Sequence, residues 1–153
     1  MNYLRKLKIQ LVKGEFKNPV RGQIRDPQHI YKVFRKIKDK NQETLIGVYL
    51  ADNLEVNAYD ILAVGSSSEA LIRTDEIFNR AIITRSRNFI LVHNHPSGNP
   101  APSPDDLEFM KELHVQSRIL HRTFLDFIIV GDGDYWSMFD VLGGGEYTLG
   151  EVS

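Results

Sequence analysis

The short apolar stretch Asn88–Val92, "NFILV", constrains this chain more than any other. It lacks the polar–apolar alternation of a half-exposed strand. A strand of this kind is buried on both faces, which places it at the centre of a sheet with other elements packed above and below. It runs directly into "HNHPSGNPAPSPDD" at residues 93–106. A buried central strand therefore ends on two histidines, a proline-rich loop, a serine and two aspartates.

The flanking sequence supplies the rest of such a sheet. In "RDPQHIYKVFRKIKDKN", Asp26 is an N-cap and Pro27 the first helical residue. Ile30, Val33, Phe34 and Ile37 then fall at helical spacing. The opposite face carries Lys32, Arg35, Lys36 and Lys38, read as a solvated surface in preference to a nucleic-acid patch. "ETLIGVYLADNLEVNAYDILAVG" reads as two strands joined at Asp52-Asn53, with Ile46, Val48 and Leu50 on one side. A helix capped by Thr74 is expected next, with Ile77, Phe78, Ala81 and Ile82 facing inward. A third starts near Ser103-Pro104 on a stripe of Leu107, Met110 and Leu113. "TFLDFIIVGDGDYWSMF" reads as two strands about a Gly-Asp-Gly turn. Tyr3 to Val12 alternates enough for a strand or an ordered arm. The order strand, strand, helix, strand, helix, strand, strand predicts an α/β (α+β) fold, a mixed central sheet flanked by helices.

Such a fold needs a real core, and 153 residues with 42% hydrophobic content supply one within a single domain. Residues 1–25 are expected as an N-terminal arm and residues 143–153, opening on "GGG", as a mobile tail. The chain has no cysteine, so any metal must be held by His, Asp or Glu. A net charge of −1 argues against a polyanion binder. No apolar run approaches a membrane span, and the basic, alternating N-terminus lacks a signal peptide's apolar segment, so a cytoplasmic protein is expected.

His93 and His95, two apart at a strand end, project to the same side and can chelate one ion. Pro96, Pro100, Pro102 and Pro104 stiffen the following loop by fixing φ. Asp106 falls in the first turn of the next helix, where it can point back at the histidines. Two imidazoles and a carboxylate suit Zn2+ with a fourth position for water, whose pKa falls toward neutrality on the metal. Plainer roles exist for each part. Ser103 and Asp106 are spaced as a capping box, the histidines can bond loop backbone, and the prolines can merely stiffen a connection.

The pattern His-x-His-Pro, six residues, Ser-x-x-Asp is filled by His93, His95, Pro96, Ser103 and Asp106. It resembles the signature of the JAMM (MPN+) metallopeptidase superfamily. "HNHPSGNPAPSPDD", the preceding "TDEIFNRAI" and the downstream "DFIIVGDGDYWSMFD" more narrowly resemble its RadC-like branch, over about residues 27 to 140. Two departures stand out. The branch commonly carries a helix-hairpin-helix region, for which a chain of this length has no room. It also usually has Asp-His where this chain has Asp126-Phe127.

The resemblance implies JAMM/MPN-like layering, akin to that of cytidine deaminases, and a zinc-dependent hydrolase of peptide or isopeptide amides. It implies metal ligands at His93, His95 and Asp106, a hydrogen-bond donor at Ser103, and an upstream glutamate as general base. Glu43 stands in the matching place; Glu55, Glu69 and Glu76 are its rivals. Other readings are a DNA-repair-associated or nucleic-acid-processing protein and a non-catalytic interaction module. The letters His-Asn-His do not themselves favour a nuclease, because HNH nuclease residues are dispersed over a ββα unit. The peptide partner and the oligomeric state are not specified.

Overall fold

The computed structural model describes residues 2–17, 22–65 and 72–147. Helix α1 (Pro27–Phe34) begins as expected: the Asp26 carboxylate accepts the His29 N–H at 2.9 Å, with Pro27 inside the first turn. A 3-10 turn (Arg35–Asp39) follows. Strands β1 (Glu43–Leu50) and β2 (Val56–Gly65) form an antiparallel hairpin across a turn containing Asp52 and Asn53, with Leu54 in the left-handed region at φ 67. Then come α2 (Thr74–Ile83), β3 (Asn88–Asn94), α3 (Pro104–Ile119), β4 (Thr123–Val130), β5 (Tyr135–Ser137) and the single turn α4 (Met138–Val141).

The strands form one mixed sheet in the order β2-β1-β3-β4-β5. β3 is central, antiparallel to β1 and parallel to β4, and every residue from Phe89 to Asn94 is buried. The parallel step requires a crossover, and α3 provides it. On one face Ile46, Val48, Leu50, Ile90, Val92, Ile128 and Val130 pack against Ile30, Phe34 and Ile37. On the other, Leu45, Tyr49, Phe89, Leu91, Phe127 and Ile129 meet Ile77, Phe78 and Ala81 of α2 and Phe109, Met110 and Leu113 of α3. No described helix is long and apolar enough to cross a membrane.

Several details depart from expectation. Thr74 does not cap α2: Arg73 holds that position without a capping side-chain bond, and its guanidinium pairs with Asp75 at 2.9 Å. Ile82 is 49% exposed, because the inward stripe of this short helix is complete with Ile77, Phe78 and Ala81. Leu107 is 44% exposed and Phe109 takes its place in the core. The phase of α3 is set by Asp106, which turns inward at 1% exposure. Its neighbour, about 100° further round the helix, then turns out.

The described residues 2–17 form no strand. Leu4 is 99% exposed, yet the region expected as an arm is attached at its end: Phe16 packs 4.9 Å from Phe34, Gln23 bridges Glu55, and Ile24 lies in the core. The segment expected as a mobile tail is anchored as far as Tyr147. The Tyr147 N–H donates to the Arg25 carbonyl at 2.6 Å, and its hydroxyl donates to Asp126 at 2.6 Å. Residues 148–153 lie outside the described residues.

Asp126 is fully buried and also accepts from the Ser137 hydroxyl and the Phe127 and Phe139 N–H groups. Burial pushes its carboxyl up and these donors pull it back, leaving it at about 6, so the ionised form is the one favoured at pH 7.5. A hydrogen bond to a buried charge contributes roughly 1.5–3 kcal/mol. Tyr147→Phe is expected to lower stability by about that amount at pH 7.5, read as a shift in the urea midpoint at constant m-value; an unchanged midpoint contradicts this anchoring.

Candidate metal centre

Four side chains from three segments meet at one end of the sheet. His93 is the penultimate residue of β3, fully buried, on the face covered by α2 and α3. Its strand partner is Leu45 of β1. His95 follows the strand end and is half-buried, with its ring 5.0 Å from that of His93 and nearly perpendicular to it. Asp106, in the first turn of α3, lies 3.0 Å from His95 Nε2 through Oδ2 and 3.7 Å from His93 Nε2 through Oδ1. Glu43, the first residue of β1, is half-buried and offers a carboxylate oxygen within 4.8 Å of ligand atoms of both histidines. The cluster is a candidate His/His/Glu metal site with a second carboxylate, that of Asp106, against both rings.

The loop from His95 to Ser103 is braced from both sides. His95 Nδ1 lies 2.9 Å from the Asn99 carbonyl. Donation there places a proton on Nδ1, so Nε2, which faces Asp106, is the nitrogen that would ligate once its own proton is lost. Gly98, at φ 85, donates its N–H to the His95 carbonyl and accepts from Asp132 N. Gly131 has no room for a side chain: a Cβ there would sit 2.5 Å from the Gly98 carbonyl oxygen. The Gly-Asp-Gly turn after β4 is thus the bed on which the His-Pro loop rests.

Ser103 is the N-cap of α3. Its Oγ accepts the Asp106 N–H at 3.0 Å, and Asp106 Oδ2 accepts the Ser103 N–H at 2.8 Å. The capping box is therefore real, and it operates together with the histidine contact. As an acceptor in the cap, the hydroxyl keeps its own proton to donate. Among the rivals to Glu43, Glu55 is exposed beyond the far end of the eight-residue β1, roughly 25 Å of strand away. Glu76 pairs with Arg80 at 3.0 Å. Glu69 lies outside the described residues. Phe127, in place of the histidine usual in the RadC-like branch, is fully buried with its ring 6.1 Å from that of His93, so this position presents the cluster with a hydrocarbon wall.

Sequence reasoning missed Asn94, the residue between the two histidines. It is fully buried and bonded to the start of β1. Its burial follows from the strand pattern, but its partners depend on how β1 and β3 end. The Asn99 contribution comes from a main-chain oxygen and leaves no trace in residue type.

The two imidazoles are tuned in opposite directions. Burial holds His93 down to about 4, outweighing the attraction of Asp106. His95 is raised, chiefly by its hydrogen bond to Asp106. His93 is thus neutral across the physiological range, as a ligand must be, and His95 is where a proton competes.

The donor set, the burial and the mixed sheet make an α+β fold with a candidate metal site at one end of the sheet. The chain belongs to the RadC-like JAB domain family, whose model matches residues 24–143. A UPF0758 protein of Methanosarcina mazei is 32% identical over 118 residues, covering 76% of this chain and 52% of that protein. One from Enterococcus faecalis is 33% identical, covering 76% and 51%. One from Alkaliphilus oremlandii is 40% identical over 98 residues, covering 64% and 42%. The chain spans about half the length of these curated relatives.

The raised His95 sets an expected pH dependence for metal binding. Below its pKa a metal must displace one proton, so affinity for a divalent metal should weaken about tenfold per pH unit on acidification and level off above it. Titration with a competing chelator at several pH values checks this; a flat profile from pH 5 to 8 contradicts it.

Proposed function

We propose that this protein is a zinc-dependent hydrolase of peptide or isopeptide amide bonds. The observation that carries the reading is the meeting of Glu43, His93 and His95 within 4.8 Å, with Asp106 touching both imidazoles. Two imidazole nitrogens and carboxylate oxygens suit Zn2+, and the absence of thiolates is compatible with a catalytic site. His93, His95 and Asp106 would hold the metal. Bound there, it would supply Lewis acidity, polarising a carbonyl and lowering the pKa of water toward neutrality.

The chain's own groups do the rest. Glu43, half-buried beside the histidines, takes a proton from the attacking water as its oxygen adds to the amide carbon. The Ser103 hydroxyl, oriented by its place in the cap, donates to the developing oxyanion. Glu43 then passes its proton to the nitrogen as the C–N bond breaks, leaving a carboxylic acid and an amine. The buried, neutral His93 and the Phe127 wall keep the inner side of the site dry, which strengthens each of these interactions. The family membership supports a hydrolase; the choice of an amide substrate rests on the resemblance to the JAMM superfamily.

The test is zinc content and hydrolysis of a panel of short peptides and lysine-ε-linked isopeptides, with single- and double-stranded DNA beside them. One zinc per chain and amide cleavage are expected. Glu43→Gln keeps the side chain's shape and removes its basicity; it should retain zinc and lose about two to four orders of magnitude in turnover. Glu55→Gln should behave as wild type. Loss of zinc from Glu43→Gln would make Glu43 a ligand, and cleavage of DNA alone would move the protein to another class.

Ser103→Ala separates the two roles of that residue. Loss of the cap is expected to cost about 1 kcal/mol in stability, and loss of the donor to lower turnover roughly a hundredfold or more. Reduced stability with unchanged turnover would leave the cap alone.

A further inference from the structure

The residue between the two histidines makes two bonds that the metal site does not explain. Asn94 Oδ1 accepts the Thr44 N–H at 2.6 Å, and Asn94 Nδ2 donates to the Gln42 carbonyl at 3.2 Å. Gln42 and Thr44 are the two neighbours of Glu43 in the chain. The orientation of the amide is not arbitrary, because an N–H can only donate and a carbonyl only accept.

The need for this side chain arises from the ends of the strands. The β1–β3 ladder runs from Leu50–Asn88 and stops at Leu45–His93. Beyond that point β3 turns away: the His95 N–H bonds to Val130 of β4 at 3.3 Å, and the chain enters the proline loop. Past its end the ladder supplies Thr44 no main-chain partner from β3, at the point where Glu43 must be held. The Asn94 amide replaces that partner with one donor and one acceptor. The Thr44 main chain also meets the His93 ring, so the segment that Asn94 holds adjoins a histidine as well.

We infer that Asn94 is a positioning residue that fixes the Glu43 carboxylate beside the histidines by clamping the peptide groups on either side of it. The assignment rests on the reading of Glu43 as the general base. The amide supplies both functions at once: aspartate lacks the donor for Gln42, and leucine lacks both. A base displaced by even about 1 Å loses much of its effectiveness, so the clamp acts on turnover more than on binding.

The experiment compares wild type, Asn94→Ala and Asn94→Asp, each saturated with zinc, on the amide that wild type cleaves in the panel above. Asn94→Ala is expected to keep one zinc per chain, to lose tenfold to a hundredfold in kcat with KM changed less than threefold, and to exchange the Thr44 amide hydrogen at least tenfold faster. Asn94→Asp keeps the acceptor, so its Thr44 hydrogen should remain protected. Wild type gives a readout that does not depend on any variant folding: Thr44 should be protected although it lies outside the β1–β3 ladder. An unprotected Thr44 in wild type overturns the clamp. So does an Asn94→Ala protein with unchanged kcat, or one that loses zinc at saturation. If wild type cleaves no amide, or Glu43→Gln retains full activity, the reading of the base fails, and Thr44 protection reports separately on the clamp.

Discussion

The site depends on the carboxylate of Asp106. Its Oδ2 is shared between the Ser103 N–H at 2.8 Å and His95 Nε2 at 3.0 Å, and its Oδ1 faces His93. One buried anion thus closes the start of a helix and meets both imidazoles. Burying such a charge is tolerated because donors surround it. It also lies at the positive end of the α3 dipole, which favours a negative group there. The phase of α3, and with it the identity of the core residues Phe109, Met110 and Leu113, follows from this inward turn.

The parts of the fold legible in the sequence are those set by local chemistry. The Asp26-Pro27 start of α1 and the Ser103-Pro104 start of α3 are where capping predicts them, because both signals act within three residues. The central place of "NFILV" followed from its lack of alternation. The grouping of His93, His95 and Asp106 followed from strand periodicity and a stiff loop, and the structure brings Glu43 to the same point. Matching the family's pattern singled out Glu43; its own surroundings in sequence did not.

What was not legible depends on tertiary context. Leu107 and Ile82 are apolar at acceptable helical spacing, yet face solvent because the packed stripe is set by neighbours remote in sequence. Tyr147 looked like part of a glycine-rich tail, but its ring and hydroxyl find a buried carboxylate twenty-one residues earlier. Asn94 sits in the middle of the most conspicuous motif. Its partners, about fifty residues away, come into view only once β1 and β3 are paired.

The topology also divides the site between two units of the fold. His93, His95 and Asp106 all belong to the β3–α3–β4 unit, whose strands pair in parallel around their own crossover helix. Glu43 belongs to the β1–β2 hairpin and reaches that unit only across the β1–β3 seam. Proteins open locally along such boundaries, at less cost than global unfolding. An opening that frays the first residues of β1 would leave the two histidines and the aspartate assembled and remove the glutamate.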